Sequence, residues 1–139
     1  MKMKVVLEPT AFMPKRAHPT DAGLDLRSRW SMLVPAHDSA EFDTGVHIEL
    51  PSGWYGKIES KSGLNINHGI VSCGGVIDEE YTGSIMVKLY NLSDFDYIVE
   101  AGDKIAQLVI MPYLAPELDL VDKLDETDRG DDGFGSTGR

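Results

Sequence analysis

Apolar residues in this chain fall in short runs, and the clearest of them alternate with polar residues at period two. Val46-His47-Ile48-Glu49-Leu50 alternates strictly. Successive strand side chains point to opposite faces, so Val46, Ile48 and Leu50 are predicted inward, with His47 and Glu49 in solvent. Trp54 to Glu59 resumes the pattern, Tyr55 and Lys57 on one face, Gly56 and Ile58 on the other. Leu24 and Leu26 turn Asp25 the other way. After a Gly102-Asp103 turn, Lys104 to Ile110 predicts a strand with Ile105, Gln107 and Val109 on one face. Val5-Val6-Leu7, Gly69 to Ser72 and Tyr97-Ile98-Val99 predict shorter strands, and Leu118 to Val121 a last weak one. Trp30, Met32, Leu33 and Val34 read as core or interface material. Only Ser60-Lys61-Ser62-Gly63-Leu64-Asn65 breaks the pattern. Serine ahead of a helix-capable stretch signals an N-cap, and one short helix is expected from Leu64 to about His68. Many short strands with almost no helical period describe an all-β domain, a sandwich or barrel.

One stretch is denser in chemistry than the rest. Gly74 to Gly83 holds three glycines, three adjacent carboxylates (Asp78, Glu79, Glu80) and Tyr81. An apolar run from Ser84 to Tyr90 follows. The pattern predicts a hairpin, with a strand into Ile77, a polar turn, and a strand out from Ser84. Its glycines leave strand backbone uncovered, which lets a flat ligand approach closely.

Composition narrows the function. A chain of 139 residues is one domain and buries a core without staples. The lone Cys73 excludes an internal disulfide and a cysteine-based zinc cluster, and reads as a buried thiol. A formal charge of −10 argues against direct nucleic-acid or membrane binding. It leaves room for a phosphate ligand held by local cations, amides and a divalent ion. No apolar run approaches the length of a membrane span, and the one after Met1-Lys2-Met3-Lys4 is too short for a signal peptide, so a cytoplasmic protein is expected. From Glu117 onward the chain is acidic and then rich in glycine, which predicts a β domain over 1–125 and a flexible arm over 126–139. Within that arm Phe134, bracketed by glycines beside Ser136 and Thr137, suits a mobile aromatic flap.

These pieces match the demands of a nucleotide. Uracil offers acceptor, donor and acceptor along one edge, and an exposed strand at Gly74-Gly75 offers backbone groups that alternate in kind. Tyr81 under the sugar would leave no space for a 2′-hydroxyl. Ser62 and Gly63 at a helix start supply a hydroxyl and amides for phosphate, with Lys61, Arg129, Ser136 and Thr137 as further partners. Asp25 suits a water of a hydrated Mg²⁺, and Asp78 suits the activation of an attacking water.

The segments Thr20 to Leu26, Pro51 to Leu64, Gly75 to Gly83, Gly102 to Leu108, and Arg129 with Gly133 to Gly138 occur in a fixed order. Together they resemble the five motifs of the trimeric dUTPases, from about Pro19 to Gly138. The resemblance implies a jelly-roll-like β fold, a homotrimer with shared active sites, and hydrolysis of dUTP to dUMP and pyrophosphate with Mg²⁺. Such an enzyme limits uracil in DNA and supplies dUMP for dTMP synthesis. It implies that Asp78 activates water against the α-phosphorus, that Tyr81 excludes ribose, and that the backbone from Ser72 through Gly75 reads uracil, with Val76 and Ile77 beside it. Asp25 would hold the Mg²⁺ water shell. Ser62, Gly63 and Gln107 would contact phosphates. Arg129, Ser136 and Thr137 would close over the β- and γ-phosphates, with Phe134 and Gly135 over the base.

Four positions depart from the family pattern. Lys61 stands where arginine is usual, and a lysine cannot make a bidentate phosphate contact, so a weaker hold is expected. Asn65 replaces alanine, Glu80 replaces aspartate, and Ser72 stands where some members carry a uracil-contacting asparagine. The alternatives to a dUTPase are a related dCTP deaminase and a nucleotide-responsive regulatory protein that keeps the pocket.

Overall fold

The computed structural model describes residues 1–73 and 75–139. Eleven strands and one helix follow in order: β1 (Lys4–Leu7), β2 (Gly23–Arg27), β3 (Met32–Val34), β4 (Ser39–Asp43), β5 (Val46–Glu49), β6 (Trp54–Glu59), α1 (Ser62–His68), β7 (Ile70–Ser72), β8 (Val76–Ile77), β9 (Met86–Asn91), β10 (Tyr97–Val99) and β11 (Lys104–Pro112). They form antiparallel sheets ordered β2-β11-β6-β8, β4-β9-β7, β1-β5 and β10-β3. The core lies between the two larger sheets. Leu26, Ile58, Ile77, Ala106 and Leu108 enter it from one, and Phe42, Val87, Leu89 and Ile70 from the other. This is the expected all-β, jelly-roll-like architecture with one short helix.

The period-two reading holds where a strand has one wet face. Val46, Ile48 and Leu50 are buried, as are Gly56 and Ile58. It fails in β11, whose core residues are Ile105, Ala106 and Leu108. The register against β2 slips between Lys104 and Ala106. One extra residue in the ladder puts Ile105 and Ala106 both inward and leaves Lys104 on the face of Gln107.

Three further expectations are corrected. Ser62 is the first residue of α1; Lys61 holds the N-cap position with no side-chain cap. The Ser60 hydroxyl is already engaged, donating to the Ser72 carbonyl at 3.0 Å and accepting from the Ser72 amide at 2.8 Å, so it stitches the end of β6 to β7. Residues 118–121 form no strand, because no neighbour within the chain pairs with them; Leu118 is 91% and Leu120 99% exposed. The strands around the polar turn do not pair with each other. β8 joins β6 through Gly56↔Ile77 and Lys57↔Val76, whereas β9 lies between β4 and β7. The turn spans two sheets.

Gly75 makes that crossing possible. Its φ is +98°, and a Cβ there would lie 2.7 Å from Cγ1 of Ile58. Its carbonyl accepts from the Ile58 amide at 2.8 Å. Only glycine allows both the backbone angle and the approach.

Candidate active site

The predicted residues separate into three places. The first is the outer face of the β2-β11-β6 ladder. Gln107 stands opposite Asp25 on one side and Glu59 on the other. Asp25 is only 5% exposed. Its Oδ1 accepts from Lys61 Nζ at 2.6 Å and its Oδ2 from Lys104 Nζ at 2.8 Å. Burial pushes the Asp25 carboxyl up, but Lys104 and Lys61 together outweigh it and hold the group below the usual carboxylate range. Two ammoniums against one carboxylate leave the Asp25–Lys61–Lys104 cluster with a net charge of +1 in a chain of −10. Gln107 donates its amide to the Ser60 carbonyl at 3.0 Å, fixing the entry to α1 beside Ser62 and Gly63.

The second place is the crossing between the sheets. A cavity of about 260 Å³ is lined by Ile58, Ser72, Cys73, Gly75, Met86 and Lys88, among others. Cys73 is exposed here rather than buried, because β7 ends at Ser72 and the chain then leaves its sheet. The predicted Gly74 lies outside the described residues. Val76 is 64% exposed, whereas Ile77 is buried against the core, which leaves Ile77 only backbone for a ligand. Asp78 is exposed and lines a second cleft of about 580 Å³ with Tyr55, Val76, Glu79, Glu80 and Tyr113. Tyr81 is 43% exposed, and its hydroxyl donates to the Ser84 carbonyl at 2.8 Å.

Glu79 anchors the turn. It accepts from the Tyr113 hydroxyl at 2.6 Å and from the Gly53 amide at 2.9 Å. The Tyr113 hydrogen bond, with those of Gly53 and Ser52, holds its carboxyl below the usual range against a smaller effect of burial.

The third place is the arm. Beyond Pro112 nearly every residue is exposed. Phe134 is fully exposed, with φ +49°, and Gly135 follows at φ +95°. Arg129 donates from Nε to the Asp132 carbonyl at 2.7 Å, and Ser136 and Thr137 face solvent.

The first two places do not meet. Asp78 follows Ile77, so it lies level with Tyr55, while Asp25 lies level with Glu59 through Gln107. Four residues along β6 and three interstrand steps separate them, about 19 Å by strand geometry. The two carboxylates therefore stand on separate parts of the chain's surface.

Comparison with known proteins settles the family. The dUTPase profile matches residues 10–138. The chain is 46% identical to the deoxyuridine 5′-triphosphate nucleotidohydrolase of Arabidopsis thaliana over 95% of its own length and 80% of that protein's. It is 41% identical to that of Paramecium bursaria Chlorella virus 1, covering 93% and 92%. Among solved structures, the Staphylococcus bacteriophage 80alpha dUTPase with dUpNHpp superposes at a TM-score of 0.90, with 31% identity over 99% of both chains.

The chain belongs to the dUTPase family. It is a dUTP diphosphatase, which sets aside the deaminase alternative.

Sequence reasoning missed Lys104 as the second partner of Asp25, since strict alternation puts it on the opposite face from Gln107. Only the bulge reverses that. Glu79 read as one of three equivalent turn carboxylates, and its partner Tyr113 is 34 residues away.

Proposed function

We propose that dUTP is hydrolysed at sites completed between chains of a homotrimer, each chain giving its phosphate face to one site, its crossing turn to another and its arm to a third. The observation that carries this is the separation of Asp78 from Asp25 within one chain. The cavity of Ser72, Cys73 and Gly75 takes the uracil edge against backbone and the Ser72 hydroxyl. Tyr81, held by Ser84, packs under the deoxyribose and leaves no space for a 2′-hydroxyl. Asp78 takes a proton from water, whose oxygen attacks the α-phosphorus as the bond to the bridging oxygen breaks and pyrophosphate leaves. The face of Lys61, Lys104, Gln107, Ser62 and Gly63 receives the leaving phosphates. Arg129, Ser136 and Thr137 close over them from the arm, and Phe134 and Gly135 cover the base and exclude water.

Magnesium belongs to the substrate in this scheme. Among the described residues no three carboxylate, histidine or cysteine side chains converge. That suits an ion carried on the triphosphate with most of its waters. Each Asp25 oxygen keeps a lone pair beside its lysine contact, and Asp25 would hold one of those waters. The ion would supply charge neutralisation.

Pyrophosphate release from dUTP, UTP, dTTP and dCTP tests the reading. Release is expected with dUTP alone. Asp78→Asn is expected to lower turnover by about 10²- to 10⁴-fold while dUTP binding persists. Equal turnover of UTP would remove the role given to Tyr81.

A further inference from the structure

His47 read as a solvated strand residue, and the site described above makes no use of it. It lies on β5 opposite Val6 of β1, with its side chain 26% exposed. Its Nδ1 stands 2.8 Å from the Thr82 carbonyl oxygen and its Nε2 2.9 Å from Oε1 of Glu8. A carbonyl oxygen only accepts. Glu8 also accepts as a carboxylate: the His47 hydrogen bond, opposed by burial and assisted by Arg29, holds its carboxyl below the usual range. Both acceptors are satisfied at once only when the ring carries two N–H donors, as an imidazolium.

Thr82 follows Tyr81 directly. Tyr81 donates to Ser84, the Ser84 hydroxyl donates to Asp43 and accepts from the Gly45 amide, and the Ile85 amide donates to the Val46 carbonyl. The exit of the turn is therefore laid along the strand that carries His47. The remaining charges around the ring are Asp43 at the end of β4 and Arg29, which reaches Glu8 at 2.9 Å and Asp43 at 3.8 Å. Lys4 and Glu49 pair with each other at the far end of the β1-β5 ladder.

We infer that His47 is a positioning residue for sugar selection: as an imidazolium it pins the Thr82 carbonyl, and with it the Tyr81 ring, against β5. The inference rests on Tyr81 being the residue that reads the sugar. A neutral ring has one N–H, and the ionised Glu8 is the stronger acceptor. The remaining proton therefore stays on Nε2, and the Nδ1 lone pair then faces the Thr82 carbonyl oxygen and repels it. The Thr82 and Glu8 hydrogen bonds raise the His47 pKa above its ordinary value, against a smaller effect of burial. The anchor is thus complete below about pH 6.5 and is lost as pH rises through the raised value.

The test measures kcat/KM for dUTP and UTP on the full chain from about pH 6 to about pH 9. The ratio of the two cancels titration of the phosphates and of any group that acts on both substrates alike. In the parent the dUTP preference is expected to fall by about threefold to tenfold across the His47 titration, the worth of one net hydrogen bond. In His47→Gln, which keeps a donor for Thr82 but does not titrate, the preference is expected to be flat with pH. In His47→Ala it is expected to be low throughout. With labelled histidine and tyrosine, NMR should show the Tyr81 ring signal shifting at the His47 midpoint in the parent and not in His47→Gln. A parent preference that is flat with pH, while Tyr81→Ala lowers it, overturns the role of His47 and leaves the sugar reading intact. A preference unchanged by Tyr81→Ala overturns the sugar reading and the selection role with it. A Tyr81 signal that ignores His47 overturns the coupling itself.

Discussion

Asp25 shows how much one side chain is asked to do. It neutralises part of two ammoniums, orients Lys61 at the head of α1 and stands opposite Gln107. Asp25→Asn would keep its shape and remove its charge, leaving two lysines facing each other. A loss of roughly 2 kcal/mol in urea unfolding is expected, below the range for a fully buried pair because both lysines are partly exposed. The sign with pH follows from its lowered pKa. The stabilisation is present above about pH 4 and is lost as pH falls through the folded-state value, so the parent should weaken in acid where Asp25→Asn does not. Residue types were legible at this scale, and Asp25, Asp78, Tyr81 and Gln107 were all singled out from the sequence. Partnerships were not, because Lys104 reaches Asp25, Tyr113 reaches Glu79 and Glu8 reaches His47 across 79, 34 and 39 positions of chain.

At the scale of elements, the turn after Gly75 matters more as a bridge than as a hairpin. Its entry strand β8 belongs to the β6 sheet, and the exit strand β9 belongs to the β4 sheet. The position of Asp78 is therefore set by how the two sheets pack. Gly75→Ala should be costly for two independent reasons, the φ of +98° and the 2.7 Å approach of Ile58. We expect a destabilisation of about 1–3 kcal/mol, with loss of dUTP turnover beyond what the stability change explains. Urea unfolding alongside kcat measurement checks both. Alternation predicted β5 and β6 correctly because each has one wet face. It misassigned β11, since a bulge leaves no trace in a binary pattern, and it could not say which strand β8 would choose.

For the whole molecule, the spacing of the chemistry supports the proposal that sites are shared between chains. With Asp78 about 19 Å from Asp25, and the arm's Arg129 and Phe134 beyond the last strand, mixed chains should complement. Asp78→Asn chains refolded in equal amounts with chains ending at Asp125 should recover about a quarter of parental pyrophosphate release. That fraction is the chance that the Asp78 donor and the arm donor are both intact in a randomly mixed trimer. No recovery would mean that each site is built within one chain.

The sequence by itself determined the family and the all-β class, because these depend on local pattern and on motifs in fixed order. Only the tertiary structure decided that Gly75 to Gly83 bridges two sheets, that Lys104 shares Asp25 with Lys61, and that His47 is tied to the turn. Each of those depends on which distant strands become neighbours. That choice is made by burying Leu26, Phe42, Ile58, Leu89 and Leu108 together, a many-body packing outcome that no single stretch encodes.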